Sequence, residues 1–453
     1  MYSNLYYVQQ LLALIKSHNV TKFVVSPGSR HIPIVISMEN DPAFQLYSIV
    51  DERSASFFAL GLIHKFREPV GVICTSGTAC ANYTSAIAEA YYQELPLLVI
   101  TADRLPSFLN QLEDQTIPQS QLFKAITKLV VSLPHGRTDN DKWFTNRLIN
   151  EALLELDHHG KGPVQINIPI ESHIDNFECT KLPAERVIRR YTISENREFW
   201  IRRASYLRDK KILLIVGEGN PFTEEELKSI NTFCTSYNAI VLADKMSNCH
   251  AEYTINSAFC VLNAINRQEL SMLSPDIVIF VRANYSFNPE SKGFIRRSRW
   301  PESWFVSPTG AVRDPFQNLS DIFEMEESIF FSKISEVNTI KLEQNTYGRM
   351  WKEFESTIEL PQVKFGQLRA ILELMRNLPN NCTLNLANSQ AVRMAQLIDI
   401  DPSIEVHGNR GTDGIDGCLS AYVGFASNSL KTAFLIIRES LVQAQVGPQI
   451  LRI

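Results

Sequence analysis

The chain has 453 residues, of which 45% are hydrophobic and 21% charged, an ordinary globular composition at a length that allows roughly two to four domains. Its net charge of -5 excludes the uniformly basic footprint that nucleic acid or an anionic membrane calls for, so any anion site has to be local. The eight cysteines are scattered, with no CxxC pair and no Cys/His cluster at zinc spacing, which fits reduced thiols in a cytoplasm. No apolar run reaches the ~20 residues of a spanning helix, so no membrane anchor is expected.

The opening "MYSNLYYVQQLLALIKSHNV" alternates polar and apolar residues at helical spacing and predicts a helix, not a signal peptide. The runs "KFVVSPGSR", "VGVICTSGTACANYTSAIAEAYYQ", "LPLLVITADR" and "GPVQINIPI" then alternate strand and helix patterns, which predicts parallel strands buried by helices on both faces. That rhythm lapses in a polar stretch over 170–197, read as a linker, and a first domain is expected over 1–178. A second α/β pattern opens with "KKILLIVGEGN" and continues through "NAIVLAD", "DIVIFVRAN" and "SWFVSP", giving a central domain over 190–345. A charged helical stretch near 340–360 reads as a second linker. A third pattern runs through "CTLNLANSQAVRMAQLI", "IEVHGNRGTDGIDGCLSAYVGFAS" and "TAFLIIRE" and stops after a few elements, a partial domain over 360–453. The expected fold class is α/β, with three successive doubly wound parallel-sheet domains, the third incomplete.

Each strand end runs into small or polar residues: Ser26 to Arg30, Thr75 to Thr78, Asn388 and Ser389, and Gly408 to Gly414. In open parallel sheets ligands bind at the carboxyl ends of the strands, where helix N-termini offer unpaired N–H groups to anions. Taken singly, each turn reads as a helix cap. Arg30, Arg104, Arg393 and Arg410 all sit at or just past such ends, where a guanidinium grips a carboxylate bidentately, and together they suggest a substrate with several carboxylates. In "DERSASFFALGLI", Asp51 and Glu52 read equally as acids that stabilise a helix N-terminus or, for Glu52, as an inward-facing group for proton transfer. His31 reads as a surface residue or one lying behind the site. No nucleophile elbow, P-loop or dinucleotide fingerprint is present.

Seven blocks, "VVSPGSRHIPIV", "DERSASFFALGLI", "VICTSGTACANYTSAIAEA", "LLVITADRLP", "INIPIES", "ANSQAVR" and "GNRGTDGIDGCLSAYVGFA", occur in an order that resembles the 2-succinyl-5-enolpyruvyl-6-hydroxy-3-cyclohexene-1-carboxylate synthases of menaquinone biosynthesis. The resemblance extends to Ile437. It implies three domains of the thiamine diphosphate enzyme type, binding the pyrimidine, joining the halves and binding the diphosphate, in a homodimer or homotetramer that shares its cofactors between subunits. It also implies thiamine diphosphate and Mg²⁺ as cofactors, with 2-oxoglutarate decarboxylated and its succinyl semialdehyde unit added to isochorismate. Glu52 matches the glutamate that hydrogen-bonds the cofactor's aminopyrimidine, with Pro27 and Gly414 as further cofactor contacts. Ser29, Arg30, Arg104, Gln115, Lys292, Ser389, Arg393 and Arg410 match substrate-binding positions.

The match has departures. Gly293 stands where the family carries an arginine after Lys292, and Asp114 adds a carboxylate beside Gln115. After the strand "AFLII" the family continues with a Gly-Asp pair and later an Asn that hold Mg²⁺, whereas here Arg438, Glu439 and Ser440 follow, with no Asp or Asn beyond. No metal ligand is therefore assigned, the chain reads as C-terminally truncated relative to the family, and weak or no binding of thiamine diphosphate and Mg²⁺, with impaired activity of this chain alone, is expected. A non-catalytic member that keeps the pocket or dimer surface, and a thiamine enzyme acting on other 2-oxo acids, stay open as alternatives.

Overall fold

The computed structural model describes residues 1–444 apart from 137, 172–175, 256, 283, 299–300, 339–343, 360–362, 365, 428–430 and 438–439. Residues 1–189 form one compact unit and 190–453 a second.

In the first unit, β1 (Lys22–Val25), β2 (Gln45–Ser48), β3 (Val70–Cys74), β4 (Leu97–Asp103), β5 (Leu129–Ser132) and β6 (Val164–Pro169) form a parallel sheet in the order β2-β1-β3-β4-β6-β5. β3, β4 and β6 are buried at every position, which is why they read as continuous apolar runs instead of alternating ones. One face packs Phe23, Ile73, Ile100 and Ile166 against Leu11 and Ile15 of the helix Tyr6–Ser17 and Ile149 of the helix Asp139–Glu155. The other packs Val24, Val72 and Val99 against Ala59 and Ile63 of the helix Glu52–Phe66. The polar stretch after β6 does not hang free where it is described. Asn146 and Asn150, one helical turn apart, donate to Arg186 O at 2.9 and 3.0 Å, and Asn150 Oδ1 accepts the Ile188 N–H at 2.8 Å.

The second unit holds two sheets. β7 (Arg189–Thr192), β8 (Ile212–Val216), β9 (Ala239–Ala243), β10 (Thr254–Ile255), β11 (Ile277–Val281), β12 (Glu302–Val306) and β13 (Leu319–Glu324) are ordered β10-β9-β8-β11-β12-β13-β7. β14 (Thr383–Leu386), β15 (Glu405–Gly408) and β16 (Ala433–Ile437) are parallel, ordered β15-β14-β16, the smallest parallel set of the three. Past Ile437 the sequence pattern offered no further element, yet β17 (Ser440–Ala444) folds back antiparallel on β16, satisfying an edge that would otherwise stay open. The opposite edge, β15, is met by a side chain. The Asn248 carboxamide accepts the Val406 N–H at 2.8 Å and donates to Val406 O at 3.0 Å, pairing like one residue of a strand.

The stretch expected as a second linker contains a packed helix, Thr346–Ser356, with Tyr347 and Trp351 fully buried. Its spacing of apolar residues is obscured by charges between them, and Asn345 secures it. Asn345 Oδ1 accepts the Gly348 N–H at 2.7 Å while Nδ2 donates to Cys234 O at 2.9 Å and Ala239 O at 2.6 Å. Among the described residues no helix is long and apolar enough to cross a membrane. Asn345→Ala removes a cap and leaves two buried carbonyls without their donor, so equilibrium urea unfolding should show a loss of about 3 kcal/mol. A loss below about 1 kcal/mol would contradict this role.

Candidate active site

The register of the first sheet sets the turns side by side. Val25 lies opposite Ile73, Cys74 opposite Thr101, and Asp103 opposite Pro169, so Pro27–Arg30, Thr75–Gly77, Arg104 and Ile170–Glu171 share one carboxyl edge. A Cβ on Gly28 would stand 2.4 Å from Thr75 Cβ, so this close approach of the two turns requires glycine. Pro27 and Ser29 are exposed, whereas Arg30 is buried. Its backbone N–H donates to Thr75 Oγ1 at 3.2 Å, and Nη1 to Ile170 O at 3.1 Å and Glu171 O at 3.0 Å. Burial, and then the charge of Arg104, pull its guanidinium below the usual arginine range. Arg104 pairs with Glu113 at 3.2 Å. Glu113 was not singled out in the sequence, and Asp114 beside it is exposed. His31 is no surface residue: it is 2% exposed, and burial lowers its pKa to about 4, which leaves it neutral.

The two readings of "DER" separate in the structure. Asp51 takes the cap, its Oδ2 accepting the Ser54 N–H at 2.7 Å, an interaction that holds its carboxyl below the usual range. Glu52, half-buried, is not needed there. Burial above all, with the Glu52 charge among the lesser causes, pushes up both the Cys74 thiol at the end of β3 and the Tyr83 hydroxyl.

Beneath this edge runs a buried polar chain that sequence reasoning missed. Gln119, 1% exposed, accepts the Gly77 N–H at 2.6 Å and donates to Ala102 O at 3.1 Å and Asn167 Oδ1 at 3.0 Å. Asn167 donates to Asp103 Oδ2 at 2.9 Å, and Asp103 Oδ1 accepts the Arg104 N–H at 2.8 Å. Burial raises the Asp103 carboxyl against these hydrogen bonds. Gly77 has φ +78°, and a Cβ there would meet the Gln115 backbone at 3.0 Å, so the Gln115 loop rests on the turn that Gln119 holds. Gln115 is exposed, with φ +53°. The signal available in the sequence was the second glutamine of "DQTIPQ", four residues past the first.

In the second unit, Leu386 lies opposite both Gly408 and Ile436, which brings the Asn388–Ser389 turn beside Arg410. Arg410 Nη1 donates to Asn388 Oδ1 at 2.7 Å and Nη2 pairs with Asp413 at 3.1 Å; Asn388 Nδ2 in turn donates to Asn409 O and Gly414 O. Ser389 and Arg393 are exposed, as is Gly414. Lys292 lies apart on the helix Asn288–Arg297, half-buried, its pKa lowered by burial and then by Arg296; Gly293 beside it is exposed with open space where a side chain would go.

A cleft of about 590 Å³ opens at the ends of β14 and β16, lined among others by Ser389, Gln390, Gly417, Cys418 and Ile437. Gly417, φ +74°, starts the helix Cys418–Ala426, whose first N–H groups have no acceptor within the helix. With the Ser389 hydroxyl, this donor set fits a phosphate group. It does not fit Mg²⁺ on its own, because no Asp or Glu lines the cleft among the described residues. Glu439, which follows β16 where the family carries its Gly-Asp pair, lies outside the described residues.

Residues 6–122 match the family described as thiamine pyrophosphate enzyme, N-terminal TPP binding domain. The chain is 39% identical over 446 residues to the 2-succinyl-5-enolpyruvyl-6-hydroxy-3-cyclohexene-1-carboxylate synthase of Bacteroides fragilis, a match covering 96% of this chain and 79% of that protein. The synthase of the same name from Bacteroides thetaiotaomicron is 37% identical over 442 residues, covering 96% and 78%, and that of Flavobacterium johnsoniae 30% over 446, covering 95% and 78%.

Gln119→Leu keeps the volume near Gly77 but leaves its N–H and the Ala102 carbonyl unpaired. Urea unfolding should show a loss of about 2–4 kcal/mol, with faster amide exchange at Gly77. Unchanged exchange at Gly77 would contradict the network.

Proposed function

The chain belongs to the 2-succinyl-5-enolpyruvyl-6-hydroxy-3-cyclohexene-1-carboxylate synthases, a family of thiamine diphosphate enzymes, and we infer from this membership that it makes that product in menaquinone biosynthesis. In this reading it decarboxylates 2-oxoglutarate and adds the remaining four-carbon unit to isochorismate. The enzyme is a homodimer or homotetramer and works in the cytoplasm; Mg²⁺, the family's companion to the cofactor, would need oxygen ligands beyond those that line the described cleft.

Thiamine diphosphate, when bound, supplies the carbon nucleophile and the electron sink for loss of carbon dioxide from a 2-oxo acid. Glu52 would hold and return a proton at its carboxylate and, with Pro27 at the same edge, would meet the cofactor's pyrimidine. Ser389 and Gly414 belong to the turns that receive the diphosphate end and the substrate. Arg30, Arg104, Arg393 and Arg410, with Ser29, Gln115 and Lys292, receive the carboxylates of two dicarboxylic substrates. The arginines suit that work because planar forked donors match carboxylates bidentately, and because Arg104 and Arg410 already hold exchangeable carboxylate partners in Glu113 and Asp413.

The observation that most supports the reading is the match to these synthases over 96% of the chain; at the start of the helix Glu52–Phe66, Asp51 takes the cap and leaves the Glu52 carboxylate out of it. Glu52→Gln preserves shape while removing the exchangeable proton. At saturating cofactor and Mg²⁺, product formation from 2-oxoglutarate and isochorismate should fall by about 10²–10⁴-fold in kcat, with the circular dichroism spectrum unchanged. Turnover retained at the wild-type level would refute the role of Glu52.

A further inference from the structure

Polar side chains occupy the ends of β4 and β6 inside the first unit. Thr101 lies opposite Asn167 and Asp103 opposite Pro169, so Thr101 and Asp103, two residues apart, stand on one face of the sheet with Asn167. Thr101, Gln119 and Asn167 are at most 2% exposed and Asp103 is 8% exposed. A carboxylate is costly to bury unless donors meet it, and an asparagine of the same shape escapes that cost, so a charge at 103 needs a reason.

The polarity of the hydrogen bonds supplies one. The Gly77 N–H can only donate and the Ala102 carbonyl can only accept, which orients the Gln119 amide: Oε1 faces Gly77 at 2.6 Å, and Nε2 faces Ala102 O at 3.1 Å and Asn167 Oδ1 at 3.0 Å. Thr101 Oγ1 donates to the same Asn167 oxygen at 2.8 Å. Asn167 therefore turns its Nδ2 to Asp103 Oδ2, at 2.9 Å, while the Arg104 N–H donates to Asp103 Oδ1 at 2.8 Å. Position 103 meets two donors. A carboxylate answers both, whereas an asparagine would set its own NH₂ against one of them.

Both arginines of this edge depend on the same place. The Ile170 N–H donates to Asp103 O at 2.9 Å, and Ile170 O accepts from Arg30 Nη1 at 3.1 Å. The Arg104 guanidinium pairs with Glu113 at 3.2 Å, and its buried Nε has no hydrogen-bond partner among the described residues, which leaves a donor for a ligand.

We propose that Asp103 is a positioning residue for Arg104: by accepting from the Arg104 N–H and from Asn167 it fixes the backbone from which the guanidinium reaches a substrate carboxylate. The proposal rests on the reading of Arg104 as a carboxylate-binding residue. Polarity gives substitutions here a sign that packing alone would not. Asp103→Asn leaves a donor facing a donor, and Asn167→Asp leaves two carboxylates face to face. Together they restore every bond, because the carboxamide at 103 accepts from the Arg104 N–H and donates to the carboxylate at 167, which still accepts from Gln119 and Thr101.

Calorimetric titration of the chain with 2-oxoglutarate and, separately, with isochorismate tests this. Asp103→Asn should weaken binding of at least one of the two acids by about tenfold, and the double variant Asp103→Asn/Asn167→Asp should recover it to within about threefold of the wild type. Arg104→Gln should weaken the same acid by about tenfold or more. Wild-type affinity in Asp103→Asn while Arg104→Gln loses binding, or a loss in Asp103→Asn that the double variant does not repair, would overturn the positioning role alone. Wild-type affinity in Arg104→Gln, or no binding of either acid by the wild type, would instead remove the carboxylate reading of Arg104 and the proposal with it. Amide exchange at Arg104 provides a reading free of ligand: it should quicken in Asp103→Asn and slow again in the double variant, and wild-type exchange in Asp103→Asn would count against the proposal.

Discussion

Parallel strands covered on both faces leave their chemistry one place to go. The strand interiors are committed to packing, as the all-buried β3, β4, β6, β8, β9 and β11 demonstrate, so polar groups collect where each strand stops and its backbone N–H groups lose their partners. The proposed site residues Arg30, Arg104, Ser389 and Arg410 all occupy such ends. Register is thus the quantity that matters: slip β1 against β3 by one residue and the Gly28 to Thr75 contact is lost, along with the setting of Arg30.

Buried charge explains how these ends are furnished. A guanidinium taken out of water needs partners, and each buried or half-buried arginine at the edges has them: carbonyls for Arg30, Glu113 for Arg104, Asn388 and Asp413 for Arg410. Such pairing satisfies the buried charge, and in the proposed function a substrate carboxylate at Arg104 or Arg410 exchanges with Glu113 or Asp413. Specificity then depends on how readily each internal partner yields. Glu113 and Asp413 lie on turns and are partly or fully exposed, which makes them easier to displace than a carboxylate fixed within a core.

Much of the fold was legible because apolar runs of five or so residues, punctuated by glycine and serine, can be little else than buried parallel strands. The arginines were legible for the same reason, since strand ends can be counted. What escaped were partnerships across long stretches of chain. Asn248 pairs with Val406, 158 residues away, and Gln119 reaches Gly77 across 42; neither amide differs in sequence from a surface residue. The helix Thr346–Ser356 reads as linker in the sequence because its buried Tyr347 and Trp351 sit among charges, and Asn345, which anchors it, reads as a loop residue. Asp51 and Glu52 were inseparable until the cap geometry assigned one and released the other.

The proposed function puts a 2-oxo dicarboxylic acid and thiamine diphosphate at the strand ends of these sheets. Its most direct test is release of labelled carbon dioxide from 2-oxoglutarate carrying the label at C1, with the chain, saturating cofactor, Mg²⁺ and isochorismate. Release that depends on thiamine diphosphate and matches the isochorismate consumed is the predicted result. Labelled carbon dioxide at the level of a protein-free control would contradict it.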